Sequence, residues 1–166
     1  MADSDRINIV DMMDDHVPVV SRIVCDGYRW LAENEGYTDE QLARLIETRG
    51  CEESIRRQSL QYRFLVAVFG SDVLGVAAIE GNELTKLYVD IASHGLGIGS
   101  ALFRAAERII ADAGYSELSL GSFASSVTFY ENMGMIISEH QSCNTGPLAG
   151  RQVIVMRKQL GVQARP

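Results

Sequence analysis

Hydrophobic residues along this chain change their period several times, and each change marks an element. Ile7-Asn-Ile-Val10 alternates and predicts a first strand. Val17, Val20, Val24, Tyr28 and Leu31 then recur at steps of three and four, the stripe of an amphipathic helix. Asp14 or Asp15 is its expected cap, Pro18 falls in its first turn, and it ends near Asn34-Glu35-Gly36. Thr38-Asp-Glu-Gln41 is a capping box that opens a second helix through Leu42, Leu45 and Ile46. Gly50 interrupts it, and Ile55 and Leu60 add a helical turn or two before Tyr62.

The middle of the chain reads differently. Phe64-Leu-Val-Ala-Val-Phe69 is nearly all apolar, as expected of a strand covered on both faces. A turn at Gly70-Ser-Asp72 leads back through Val73 to Ile79, and Gly81-Asn82 turns again into a strand over 84–90. Beyond Gly97 the period becomes helical: Leu102, Ala105, Ala106, Ile109 and Ala113 share one face, and Gly114 sits where a left-handed C-cap belongs. Leu118-Ser-Leu120 is a short strand that the helical crossover should set parallel to the preceding one. A helix through Val127, Phe129 and Tyr130 stops at Gly134. Met135 to Ser138 and Gln152 to Met156 form a closing hairpin. The predicted order is β-α-α-β-β-β-α-β-α-β-β, a mixed sheet of about seven strands with flanking helices, one α/β domain over 1–166.

Composition narrows the class. A hydrophobic share of 46% and a charged share of 22% are those of a globular protein. No apolar run approaches the ~18 residues of a membrane span, and the acidic N-terminus has no signal-peptide core. Cys25, Cys51 and Cys143 match neither a disulfide framework nor a zinc spacing, which points to a reducing cytoplasm. Of the net charge of −7, nearly all lies in the first sixty residues, which hold thirteen acids and seven bases. That balance argues against nucleic acid and permits a cationic ligand near the N-terminal elements. His16 and His140 stand far from any motif, and no metal site is visible.

Candidate chemistry concentrates where the strand over 84–90 meets the following helix. His94-Gly95-Leu96-Gly97-Ile98-Gly99-Ser100 lies between them. Free backbone N–H groups at a helix start, and glycines that let an anion approach, make this a candidate pyrophosphate cradle. Its spacing fails the dinucleotide pattern G-x-G-x-x-G, and it lacks the Walker lysine. With Leu87-Tyr88-Val89 upstream and a long helix downstream, it resembles the acyl-CoA loop of the GNAT superfamily of N-acetyltransferases, which reads Arg/Gln-x-x-Gly-x-Gly/Ala. His94 stands in the Arg/Gln position. Ser125-Ser-Val-Thr-Phe129-Tyr130-Glu-Asn-Met-Gly134-Met135 is similar to the family's Ala-x-x-Phe-Tyr-x-x-x-Gly-Phe. Phe123 stands seven residues before the tyrosine, where some members carry Asn. Both motifs lie in the family's order, and the likeness is strong over 64–158.

The resemblance implies direct acetyl transfer from acetyl-CoA to an amine. Pantetheine would lie along the backbone of Leu87, Tyr88 and Val89, and the pyrophosphate on residues His94 to Ser100. A strand N–H near Tyr88 or Val89 would meet the developing oxyanion, and Tyr130 would protonate the leaving thiolate. Glu83, eleven residues before His94, is the expected base, with Glu80 as its neighbouring alternative. By element order, residues Tyr28 to Thr38 and Glu139 to Gly150 would line the acceptor groove. Trp30, Glu33, Glu35 and Tyr37 would there suit a cationic amine. The oligomeric state stays open between a monomer and a homodimer. Two other readings use the same glycines: a non-catalytic acyl-CoA-binding module, and a nucleotide-binding fold.

Overall fold

The computed structural model describes residues 6–161. The acidic start of the N-terminus, Met1 to Asp5, lies outside them. The strands are β1 (Ile7–Asp11), β2 (Arg63–Phe69), β3 (Asp72–Glu80), β4 (Glu83–Val89), β5 (Glu117–Ser122), β6 (Ile136–Ser142) and β7 (Gln152–Gln159). The helices are α1 (Val17–Glu35), α2 (Asp39–Leu45), α3 (Glu52–Ser59), α4 (Ile98–Asp112) and α5 (Val127–Asn132). The sheet has seven strands in the order β1-β2-β3-β4-β5-β7-β6. The expected mixed α/β architecture is therefore present, with two refinements. The segment holding Ile55 is a helix of eight residues, and β7 inserts between β5 and β6, so the last strand made is not an edge.

The sheet separates two cores. On one face α1, α2 and α3 pack Val20, Val24, Leu45 and Ile55 against Val66, Val76 and Ala78. On the other, α4 packs Ile98, Leu102, Phe103 and Ile110 against Leu65, Ala77 and Leu118. Phe64 to Ala67 are buried throughout, as the apolar run of β2 requires of a strand between two neighbours and two helical layers.

Local signals hold at most helix ends. Thr38 and Gln41 cap α2 reciprocally, at 3.1 and 3.0 Å. Gly36 ends α1 at φ 67°. Neither Asp14 nor Asp15 caps α1. A short 3-10 turn over Asp14–His16 precedes it, and the His16 ring accepts from the Met13 N–H at 3.1 Å. Asp14 instead pairs with Arg56 of α3 at 2.9 Å. A long-range partner has replaced the local one.

Candidate active site

The cleft begins with one extra residue in β4. Ala78 faces Lys86 while Ile79 faces Leu84, so Thr85 has no cross-strand partner and bulges. Its hydroxyl closes onto the Ala78 carbonyl at 3.2 Å. The bulge reverses which residues share a face. Leu84, Leu87 and Val89 join the α4 core, whereas Lys86 and Tyr88 turn toward α1. Glu83, one residue before Leu84, then falls on the same side as Lys86 and Tyr88.

At its start β4 is tied to β5. Glu83 pairs in parallel with Ser119, the Asn82 side chain donates to the Glu117 carbonyl at 3.1 Å, and the Asn82 carbonyl accepts from Ser119 N–H at 3.0 Å. Beyond that point the strands separate. The gap is a pocket of about 210 Å³ lined by Leu87, Tyr88, Val89, His94, Gly121 and Tyr130 among others. Asp90 N–H bonds to the Leu74 carbonyl of the β3 side at 2.8 Å. Alternation along the strand then turns the N–H and C=O groups of Leu87 and Val89 toward the gap, and those of Tyr88 toward β3. Of the two residues expected to carry the oxyanion donor, Val89 is the one whose backbone faces the opening.

Beyond β4, Gly95 (φ 81°) and Gly97 (φ 77°) adopt left-handed backbone, and Gly97 is the N-cap of α4. No side chain caps that helix and its first turn holds no acid, so the N–H groups of Ile98, Gly99 and Ser100 meet no carboxylate. Gly99 lies next to the Phe129 ring and Val89, where an added Cβ would make ordinary van der Waals contact. Leu96 is exposed at the tip of the loop. His94 Nε2 donates to the Val89 carbonyl at 3.1 Å, which braces the loop on the end of β4. The histidine is thereby tied to the strand it follows.

Tyr130 comes to the same gap from α5. Its ring lies 5.2 Å from Phe129 and 6.3 Å from Phe103. Burial holds its hydroxyl pKa above the ordinary tyrosine range. The segment that carries it is fixed by Glu35, whose Oε1 accepts from Ser125 N–H at 2.9 Å and from its hydroxyl. Opposite, the Tyr88 ring stands over Gly27 in α1, where an added Cβ would lie 2.3 Å from ring carbon Cδ1. Glycine in mid-helix costs about 0.5–1 kcal/mol, and here it makes room for that ring.

A second pocket of about 560 Å³ adjoins the first and shares Leu84, Thr85, Lys86, Tyr88, Gly121 and Phe123 with it. Glu80 and Glu83 line it, directly opposed across the Gly81-Asn82 turn. Burial raises the Glu83 pKa, and the Glu80 carboxylate raises it further. Lys86 is 7% exposed and its ammonium meets the Tyr28 hydroxyl at 3.4 Å. Burial pushes its pKa down to about 8, aided by Arg49. The acceptor residues expected from sequence are spread between the two pockets and their surroundings, with Tyr37 in the wall of the second. Trp30 lines the first pocket, Glu35 holds Ser125, and Arg151 sits 4.7 Å over the Tyr37 ring. Glu33 is exposed and lines neither of these two pockets. Lys86, Arg49, Gly27 and the hold of Glu35 on Ser125 escaped the sequence reading. A lysine amid Leu84, Leu87, Tyr88 and Val89 was the one visible anomaly, since lysine is almost never buried without a reason.

Known proteins have the same architecture. An N-acetyltransferase of Rhodopseudomonas palustris superposes with a TM-score of 0.81 at 17% identity, over 96% of this chain and 99% of that one. The PaiA N-acetyltransferase of Thermoplasma acidophilum, solved with coenzyme A, gives 0.74 at 21%, over 93% and 99%. A phosphinothricin acetyltransferase of Sinorhizobium meliloti, solved with acetyl-CoA, gives 0.69 at 19%, over 93% and 89%. At these identities the likeness speaks for the fold. A search of curated proteins returns no match. The sequence model of the acetyltransferase (GNAT) domain matches residues 33–158, which include the β4–α4 loop and the Tyr130 segment, and the chain belongs to the GNAT acetyltransferase family.

Proposed function

We propose that this acetyltransferase moves the acetyl group of acetyl-CoA directly onto an amine, in a single N-acetyltransferase domain. The observation that carries the reading is the gap between β4 and β5, with Val89 on one wall, Tyr130 on another and the uncapped start of α4 at its mouth. Pantetheine lies along the free edge of β4 against Leu87 and Val89, as an added strand would. The pyrophosphate meets the N–H groups from Gly97 to Ser100, with Gly95 and Leu96 shaping the turn.

An acceptor ammonium first loses a proton to Glu83, directly or through water, and Glu80 keeps that carboxylate basic. The amine nitrogen then attacks the acetyl carbonyl carbon. The Val89 N–H stabilises the oxyanion. As the carbon–sulfur bond breaks, its electron pair goes to sulfur, Tyr130 supplies a proton to it, and the second proton that the nitrogen sheds on becoming an amide restores Tyr130. Burial raises the tyrosine pKa, and it raises a thiolate formed beside it too, so that transfer stays near balance. The products are an amide, CoA thiol and one proton released by way of Glu83. The three thiols are free, and we place the enzyme in a reducing cytoplasm, where they stay reduced. No helix of the described residues is long and apolar enough to cross a membrane.

The test pairs a thermal melt with an assay for thiol release. Acetyl-CoA at ~100 times its dissociation constant should stabilise the fold by about 2.7 kcal/mol, with no comparable shift from NAD or ATP. A shift without thiol release for any amine would favour the non-catalytic acyl-CoA-binding module. A shift with NAD or ATP alone would overturn the reading.

A further inference from the structure

The acceptor groove is lined by charges of both signs. Arg22, Arg29, Arg56, Arg63, Arg157 and Lys158 each meet a carboxylate. Three cations that line the groove, Lys86, Arg49 and Arg57, meet none among the described residues. Arg57 reaches only the Thr48 carbonyl and the Ser54 hydroxyl, at 3.4 and 3.2 Å. The Arg49 guanidinium lies against Gly146, 3.3 Å from where a Cβ would stand, so a side chain there would crowd it. Lys86 is the decisive member, because more than nine-tenths of it is buried and a single hydroxyl at 3.4 Å is its only partner among the described residues. A buried cation needs an anion or several hydrogen bonds, and this one has neither from the protein. The Tyr37 hydroxyl, in the wall of the same groove, is also buried without a partner. Glu80 and Glu83 also line this groove. In a chain of net charge −7, this cluster of unpaired bases is local.

Position says what the anion belongs to. Lys86 borders both pockets, so an anionic group bound to it lies close to the point where the amine meets the thioester. We propose that the acceptor is an amino acid, whose carboxylate is held by Lys86 with Arg49 while its amine turns toward the β4–β5 gap. A polyamine would place a second cation against Lys86, and a peptide N-terminus has no carboxylate beside its amine. The proposal rests on the transferase reading for the role of the gap, but the anion subsite is testable without turnover.

Wild type, Lys86→Met and Arg49→Gln are titrated calorimetrically with a panel of N-acetyl amino acids and the matching amides, with and without CoA. At least one acid should bind the wild type roughly tenfold tighter than its own amide, as a charge-assisted contact gives. That ratio should fall below about threefold in both variants, by loss of the same contact. The absence of any acid preference in the wild type overturns the proposal, and so does a preference that survives both substitutions. The acetyl-CoA melting shift, measured on the same three proteins, reports on the cosubstrate site alone. Its absence in the wild type sinks the transferase reading, while the acid-to-amide ratio still decides the anion subsite.

Discussion

Keeping Lys86 charged inside the fold costs stability, and the sign of that cost is testable. Its folded pKa of about 8 lies below the ordinary 10.5, so between those values the unfolded chain holds more protons. Stability from this residue therefore rises as pH climbs from about 8 to about 10.5. Tyr28 of α1, Arg49 and Tyr88 face or adjoin it, and Tyr28, like the other buried tyrosines, titrates only above that window. Lys86→Met should gain on the order of 2–3 kcal/mol at neutral pH and lose the rise, as read from urea midpoints across that range. A second pair of predictions concerns the base. Glu83→Gln should lower kcat/KM about 100-fold and abolish the acid limb of the pH profile. Glu80→Gln should keep the limb but move it to lower pH, because the neighbouring charge that raises Glu83 is gone. Tyr130→Phe should cost roughly tenfold or more in kcat with CoA affinity unchanged, which separates a proton donor from a packing residue.

Among the elements, α1 does the most to shape the site. It supplies Gly27 under the Tyr88 ring, Tyr28 beside Lys86, and Glu35 at the start of the α5 segment. Gly27→Ala should improve helix propensity and still destabilise the protein, since a Cβ at 2.3 Å forces the ring aside. We expect a net loss of about 1–3 kcal/mol, the usual range for overpacking, together with weaker acetyl-CoA binding. An unchanged melt and unchanged affinity would show that Tyr88 moves freely. The sequence pattern located α1, α4 and the meander well, because each buries one continuous face. It misread the cap of α1, because Asp14 found a better partner in α3. Residue 85 was equally out of reach: nothing local distinguishes a bulged threonine from a paired one.

For the whole molecule, the sheet is a wedge. It is held shut at Asn82, Glu83 and Ser119 and open toward Val89, with a separate core on each of its two faces. On the proposed reading, a strand-like cosubstrate bound in that wedge would complete the sheet. Acetyl-CoA should therefore protect the β4 and β5 amides from hydrogen exchange more than those of β1 and β2, which are already paired. Uniform protection across all strands would argue against the wedge as the binding place.

Two motifs, each a run of a few residues, carry the family in the sequence alone. A glycine loop between an apolar strand and an amphipathic helix, and the Phe129-Tyr130 segment with its glycine, are local features, and local features are written in consecutive residues. Tyr130 and the loop from His94 to Ser100 could be named for that reason. What lies across the sheet from them could not. Whether Glu83 shares a face with Lys86 depends on one extra residue in a register set by β3. Whether Glu35 binds an amine or holds the turn before α5 depends on a contact ninety residues away. Whether a lysine stays unpaired depends on every acid that tertiary packing kept from reaching it. Charge counted along the chain permitted a cationic ligand near the N-terminal elements, whereas charge placed by the fold put three bases beside two acids in the groove. Pairing between distant residues is decided by packing, and only the folded chain contains that information.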